Sequence, residues 1–356
     1  MHRFQESMWV QVRPIPVPMT GPAGTRESEM CMQNAETFAV SKVGAKHLPA
    51  NIPCQDFSLE YNDGEIQLIV VCDGHGSSSY VRSDVGARLA AGIAKDELMQ
   101  FMQSEDARKF LGNRTGAVTA RTDVGDSCWS EKSEEKSETA KLREEQAMLY
   151  QQQIGNIQPQ ENLIRDVCRR ICEKWVAAIQ QDAQENPLTD AEKELLGKND
   201  LVKAYGSTLM AYVQTRWGWL AIHVGDGRLL CLNDSAEPYE NWTPPVPWDS
   251  TCFLNYTTSL CDKNPADSFR YAFDGTGHFP FAVFACSDGI EDSVGDYDVA
   301  PECLNRFYMR LLQMYLDIGK EQAVARMDEG FSDMSLHGSK DDMSLAGIIN
   351  KKGNEQ

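Results

Sequence analysis

The order of apolar and polar positions divides the chain into helical and strand-like stretches. From Tyr80 onward, Val81, Val85, Leu89 and Ile93 recur every four residues, which predicts a helix with one apolar stripe running towards Met102. A second helix is read at Leu163, Val167, Ile171, Trp175 and Ile179, and a third, amphipathic, around Leu304 to Ala325. Strand character appears at Leu68 to Cys72, in the segments STLMAYVQT and GWLAIHVGDGRLLCL, after Pro280, and at Ser344 to Ile349. The short link Arg216 to Gly218 joins the two long segments in the manner of a hairpin, and the prolines at 238, 244, 245 and 247 mark an irregular connection.

Two regions lack such a pattern. Residues 1–33 hold four of the fifteen prolines and no sustained period, so they are expected to form an extended leader. Residues 104–160 turn polar, with the run EKSEEKSETAKLREEQ, and are read as an insertion, either disordered or a solvated helical excursion. The expected organisation is a leader (1–33), one domain (34–350) interrupted by that insertion, and a short tail (351–356). No repeat of fixed period emerges.

Composition narrows the classes. With 42% hydrophobic and 24% charged residues, the 356-residue chain is of ordinary globular type. Its apolar runs are far shorter than the roughly 18 residues a membrane helix requires, so no membrane span is expected. The formal charge of −19 disfavours nucleic acid and leaves cations as natural ligands. Eleven cysteines, without Cys-x-x-Cys and with no secretory signal at the N-terminus, read as reduced thiols in a cytoplasmic protein. Cys168 and Cys172, four apart on a predicted helix, make an incomplete metal site and read as packing beside Ile171 and Trp175.

The candidate chemistry lies at strand ends. Three apolar runs each pass into Asp-Gly: Leu68 to Cys72 into Asp73-Gly74, Ala221 to Gly225 into Asp226-Gly227, and Ala282 to Ser287 into Asp288-Gly289. Asp341-Asp342 precedes the last strand and Asp56 precedes the strand-like Phe57 to Tyr61. Asp-Gly is also a common turn dipeptide. Five acidic sites that meet would repel one another unless a cation joined them, and an oxygen-only set suits Mg²⁺ or Mn²⁺ better than zinc. The chain lacks Gly-x-Ser-x-Gly, Gly-x-x-x-x-Gly-Lys-Ser/Thr and Gly-x-Gly-x-x-Gly, which removes the corresponding hydrolases, NTPases and dehydrogenases.

In order, Asp73-Gly74-His75-Gly76, Gly206-Ser207-Thr208, Val224-Gly225-Asp226-Gly227-Arg228, Ser287-Asp288-Gly289 and Asp341-Asp342-Met343-Ser344 resemble the successive motifs of the metal-dependent protein phosphatase 2C family. The stretch Gly44 to Asp56 resembles the first motif of a bacterial-like branch. The resemblance implies an α/β (α+β) fold of two antiparallel sheets packed as a sandwich with helices outside. It implies two Mn²⁺ or Mg²⁺ ions bridged by Asp73, with Asp288 and Asp341 on the first ion and the Gly74 carbonyl on the second. Asp56 matches a position that ligates or orients metal-bound water, Asp226 a carboxylate of a third, weaker ion, and His75 a general acid. The implied activity is hydrolysis of phosphoserine or phosphothreonine in the protein substrates of a Ser/Thr kinase.

The sequence departs from that pattern in two places. Gln55 stands where many members have glutamate, and a phosphate-binding arginine is replaced at its spacing by Asn51. Lys42, Lys46 and His47 are the candidate substitutes. These departures leave a second reading open, a catalytically weak or inactive binding module, and a third, a phosphatase of small phosphoesters.

Overall fold

The computed structural model of the chain describes residues 34–112, 117–121, 158–233, 242–246, 249, 252, 257–295 and 299–351. The leader read at 1–33, most of the polar insertion and the tail beyond 351 lie outside the described residues.

Long apolar runs such as Leu68 to Cys72 are strands covered on both faces. In β3 (Ile66–Cys72), Leu68, Val70 and Cys72 face a helical layer, while Ile69 and Val71 face the opposite sheet. Its sheet has six antiparallel strands in the order β2 (Phe57–Asn62), β3, β5 (Leu209–Thr215), β6 (Gly218–Val224), β9 (Arg270–Asp274) and β4 (Ala117–Arg121). The second sheet has five: β1 (Ala35–Lys42), β11 (Met343–Asn350), β10 (Ala282–Cys286), β7 (Arg228–Leu232) and β8 (Trp242–Thr243). Met210, Tyr212, Trp219 and Ala221 from the first meet Leu229, Cys231, Val283, Ala285, Ala346 and Ile348 from the second in the central core.

Helices close both outer faces. α1 (Ser83–Gln103) and α3 (Gln158–Glu185) cover the six-stranded sheet, with Ala87, Ala90, Ala91 and Ala94 of α1 buried among Val167, Ile171 and Trp175 of α3. The fold is therefore the expected antiparallel sandwich flanked by helices. α2 (Glu105–Gly112) also belongs to this layer: Ala107, Phe110 and Leu111 are buried, and Phe110 packs on Phe273 with ring centroids 4.4 Å apart. The polar character read from residue 104 thus begins too early, because about two turns of amphipathic helix precede it. β4 likewise pairs with β9, Ala117 opposite Asp274.

α4 (Asp190–Leu196) is opened by a capping box between Thr189 and Glu192. Arg82, at the start of α1, donates to Glu192 at 2.8 Å and to the Asn186 carbonyl at 2.5 Å, tying the end of α3 and α4 to the loop that follows β3.

On the other face lie α5 (Asp288–Val294), α6 (Pro301–Ile318) and α7 (Lys320–His337). The single helix read over Leu304 to Ala325 is two helices. Gly319 between them has φ of 80°, which an L side chain adopts only with strain, and the chain turns there. The segment GWLAIHVGDGRLLCL is also divided: after the β5–β6 hairpin, Gly225-Asp226-Gly227 carries the chain from one sheet to the other.

Candidate active site

Strand register brings the acidic residues to one end of the sandwich. Phe57 at the start of β2 lies opposite Cys72 at the end of β3, and Leu209 of β5 opposite Val224 at the end of β6. In the other sheet Arg228 lies opposite Cys286, Cys286 opposite Leu345, and Lys42 opposite Met343. Asp56, Asp73, Asp226, Asp288 and Asp341 each adjoin one of these termini, so five segments remote in sequence deliver carboxylates to a common rim.

Their mutual electrostatics show how close they come. Burial, then the charges of Asp288, Asp56 and Asp226, push Asp73 well above the usual carboxylate range, and Asp73 and Asp288 share a side-chain hydrogen bond. Asp56 is pushed the same way by burial, then by Asp342, Asp288 and Asp341. Asp288 rises through burial and Asp226, with Asp292 adding to it. Asp226 is raised by burial, against lowering contacts from Thr257, Arg228 and Arg270. Such a set holds protons it does not want unless a cation takes their place.

The donor chemistry fits a hard divalent ion. The donors available are carboxylate oxygens, with carbonyls at hand, and the buried Asp56 Oδ2 has no hydrogen-bond partner. Gly74 is required where it stands, since a Cβ there would collide with the Gln55 carbonyl. Asp73, Asp288, Asp341 and Asp56 could hold such ions, and Asp226 faces the same group.

His47, Asp341 and Asp342 also bring three ligand atoms within 4.8 Å of one another. Here the adjacent aspartates divide. Asp341 is about one-third exposed and pairs with Lys46 at 2.6 Å. Asp342 is buried, and both its oxygens are engaged: Oδ1 accepts from Gly44 N–H at 2.5 Å and lies 3.0 Å from His47 Nδ1, while Oδ2 accepts from Gln55 N–H at 2.6 Å. It anchors the Gly44 to Gln55 loop.

The three phosphate candidates separate equally clearly. Lys42 pairs with Asp328 on α7 at 2.7 Å, outside the acidic group. His47, grouped with the lysines in the sequence reading, is 4% exposed and turned onto Asp342, so it presents no cation to solvent. Lys46 alone reaches the rim: its Nζ, like Gln55 Oε1, lies 3.6 Å from where a Cβ on Gly76 would stand.

His75 follows Gly74 and packs on Tyr80, ring centroids 4.7 Å apart, with Nε2 2.7 Å from Ser259 Oγ. Burial, helped by Lys203, holds it down to about 4. That environment works against the second ring proton that the general acid implied by the resemblance would carry.

Several residues of the rim carry no obvious sequence signal. Thr257, Thr258 and Ser259 lie in the irregular connection, yet Thr257 hydrogen-bonds Asp226, Thr258 Oγ1 accepts from Gly225 N–H at 3.0 Å, and Ser259 meets His75. Arg228 and Glu291 form a buried bidentate pair at 2.6 and 2.9 Å that joins the segment after Asp226 to the helix after Asp288. Arg270 donates to the Gly225 carbonyl at 2.6 Å. The run Thr-Thr-Ser was the only trace of the first group.

Against known proteins, the family profile described as Protein phosphatase 2C matches residues 43–329. No curated protein matches the chain. Among solved structures, it is similar to a bacterial serine phosphatase (16% identity, 90% of this chain and 99% of that one, TM-score 0.45). It is also similar to the serine/threonine phosphatase Stp1 from Staphylococcus aureus (16%, 94% and 99%, TM-score 0.45) and to PppA, a key regulatory component of T6SS in Pseudomonas aeruginosa (13%, 89% and 98%, TM-score 0.45).

Proposed function

The chain belongs to the protein phosphatase 2C family, and from that premise we propose that it is a metal-dependent serine/threonine phosphatase acting on phosphorylated proteins. The observation that carries this reading is the convergence of Asp56, Asp73, Asp226, Asp288 and Asp341 on one rim from five separate segments.

The reaction is phosphomonoester hydrolysis: a water oxygen bonds to phosphorus, the phosphorus–oxygen bond to the seryl or threonyl oxygen breaks, and that oxygen gains a proton. Mn²⁺ or Mg²⁺, when bound, would supply a lowered pKa for the attacking water and charge neutralisation at the phosphoryl oxygens. The protein's own contribution is to hold and orient. Asp73, Asp288, Asp341 and Asp56, with the Gly74 carbonyl, would hold two such ions, and Asp226 would offer a carboxylate to a third, weaker one. Lys46, paired with Asp341 at the rim, is the cation assigned to a phosphoryl oxygen, replacing the arginine absent at Asn51. His75, next to Gly74 and held by Ser259 through Nε2, is the imidazole assigned to contact the substrate.

We assign residues 34–350 to one catalytic domain, with the insertion confined to the stretch between β4 and α3. Nine free cysteines among the described residues, most of them buried, agree with a reducing compartment and support the cytoplasm as its location. No helix among the described residues is long and apolar enough to cross a membrane.

Purified protein should release phosphate from a phosphothreonine peptide with Mn²⁺ and not with chelator. Asp73→Asn should lower turnover roughly a thousandfold, the several kcal/mol that a Lewis-acid ion supplies. Isothermal calorimetry should show weakened Mn²⁺ binding in the same variant. Absence of turnover under both conditions would favour the inactive binding module, and undiminished turnover in Asp73→Asn would refute the ligand assignment.

A further inference from the structure

The imidazole of His75 is held from one side. Its Nε2 is 2.7 Å from Ser259 Oγ, its face rests on Tyr80, and no partner for Nδ1 is found among the described residues. A serine–histidine hydrogen bond can run in either direction, because each group can donate or accept. What else Ser259 touches decides the direction.

Ser259 Oγ lies 3.1 Å from the Ser207 carbonyl oxygen, which can only accept, and 3.3 Å from the Cys261 backbone N–H, which can only donate. The Cys261 thiol, also at 3.3 Å, is a weak partner of either kind. The hydroxyl has one proton. Directed to Ser207, it leaves the oxygen to accept from Cys261 N–H and from His75 Nε2–H. Directed to Nε2 instead, it would leave two lone-pair oxygens facing each other at 3.1 Å. The serine cannot drift from this position: it is 2% exposed, its N–H donates to Asp262 Oδ2 at 2.8 Å, and the next N–H, of Leu260, donates to Ser207 O at 2.9 Å.

We propose that Ser259 is a positioning residue that accepts the Nε2 proton of His75, fixing both the ring orientation and the tautomer, so that Nδ1 is the nitrogen offered to the substrate. Its consequence for turnover rests on the phosphatase reading, whereas the tautomer itself does not. Ser259 joins the active site to the segment after β8, so the same three-residue run, Thr257 to Ser259, holds Asp226 and Gly225 on one side and His75 on the other.

The test is the histidine nitrogen spectrum of the full chain, labelled with ¹⁵N at its six histidines, in Mg²⁺ and again in chelator. Signals of His75 are identified by their loss in His75→Gln. Wild-type protein should show Nε2 as the protonated nitrogen and Nδ1 as the bare, downfield one. In Ser259→Ala the two shifts should draw together as the tautomers interchange, and Ser259→Thr, which keeps the hydroxyl, should restore them. With phosphothreonine peptide and Mn²⁺, kcat of Ser259→Ala should fall roughly tenfold, the worth of one neutral hydrogen bond, with KM little changed. A wild-type His75 protonated on Nδ1 overturns the proposal without recourse to any variant, and an unaltered spectrum in Ser259→Ala overturns it equally. If the protein hydrolyses nothing, the spectra still decide the tautomer, and it is the phosphatase reading that fails.

Discussion

At the scale of single residues, adjacent aspartates do opposite work. Asp341 and Asp342 look alike in sequence, and the match of the first to a metal position makes the second seem the more tolerant. Asp342 is nevertheless the buried one, accepting from Gly44, Gln55 and His47. Asp342→Asn sets an amide NH₂ against a backbone N–H, and the protein should lose about 1–3 kcal/mol of stability, read from denaturant unfolding. An unchanged midpoint would mean that the loop is anchored elsewhere. Gln55 points to a similar revision. Read alone, it suggests a weakened second ion, to be strengthened by Gln55→Glu. Asp56 already stands in the acidic group with an unpartnered oxygen, so an added carboxylate only crowds it. In a Mn²⁺ titration of activity, Gln55→Glu should leave half-saturation unchanged or raise it; a clear decrease would return the ligand role to position 55. Such contrasts cannot be read along the chain, because Asp342 and its donors are 287 to 298 residues apart.

At the scale of elements, what repeats is legible and what caps or interrupts is harder to see. The runs at Leu68 and Ala282 are β3 and β10, where local period and burial agree, whereas the four-residue recurrence from Val81 marks α1 but not its buried face, which is Ala87, Ala90, Ala91, Ala94 and Leu98 with the recurring stripe only half-buried beside it. α2 has a weak sequence signal because its three buried residues are flanked by Glu105, Asp106, Arg108 and Lys109. Phe110→Ala should cost about 3–5 kcal/mol, as removal of a buried aromatic ring does, and a Tm close to that of wild type would show α2 to be dispensable. The break at Gly319 did have a signal, the glycine itself. The junction of α1, α3 and α4 adds a pH dependence. Hydrogen bonding to Arg82, the largest influence, holds Glu192 down to about 2 from an ordinary value of 4.5. The unfolded chain therefore takes up this proton first on acidification. The stabilisation is complete above roughly pH 5 and is lost as pH falls towards 2. Glu192→Gln should lack that contribution at neutral pH and show a shallower loss of stability between about pH 5 and 2. Parallel curves for the two proteins would discount the pair.

For the molecule as a whole, the Asp-Gly recurrences marked the rim while its supports stayed hidden. An aspartate after a buried strand is visible wherever it occurs. The clamp of Arg228 on Glu291, the anchor at Asp342 and the hydroxyls of Thr257 to Ser259 exist only once two sheets have been stacked. The pairing of β1 with β11, Ala35 opposite Asn350, carries a further consequence that concerns time. As the chain is synthesised, β1 and the loop after it emerge about 300 residues before the strand that pairs with β1 and the carboxylate that gathers Gly44 and Gln55. At about 5–20 residues per second the wait is roughly 15–60 s. During that interval Asp73 and Asp56 lack Asp341, and the loop bearing Lys46 has no anchor. Until β11 and Asp341 have emerged, the rim is one carboxylate short and the loop between β1 and β2 lies open, so the order of synthesis leaves the assembly of the rim to its most distant strand.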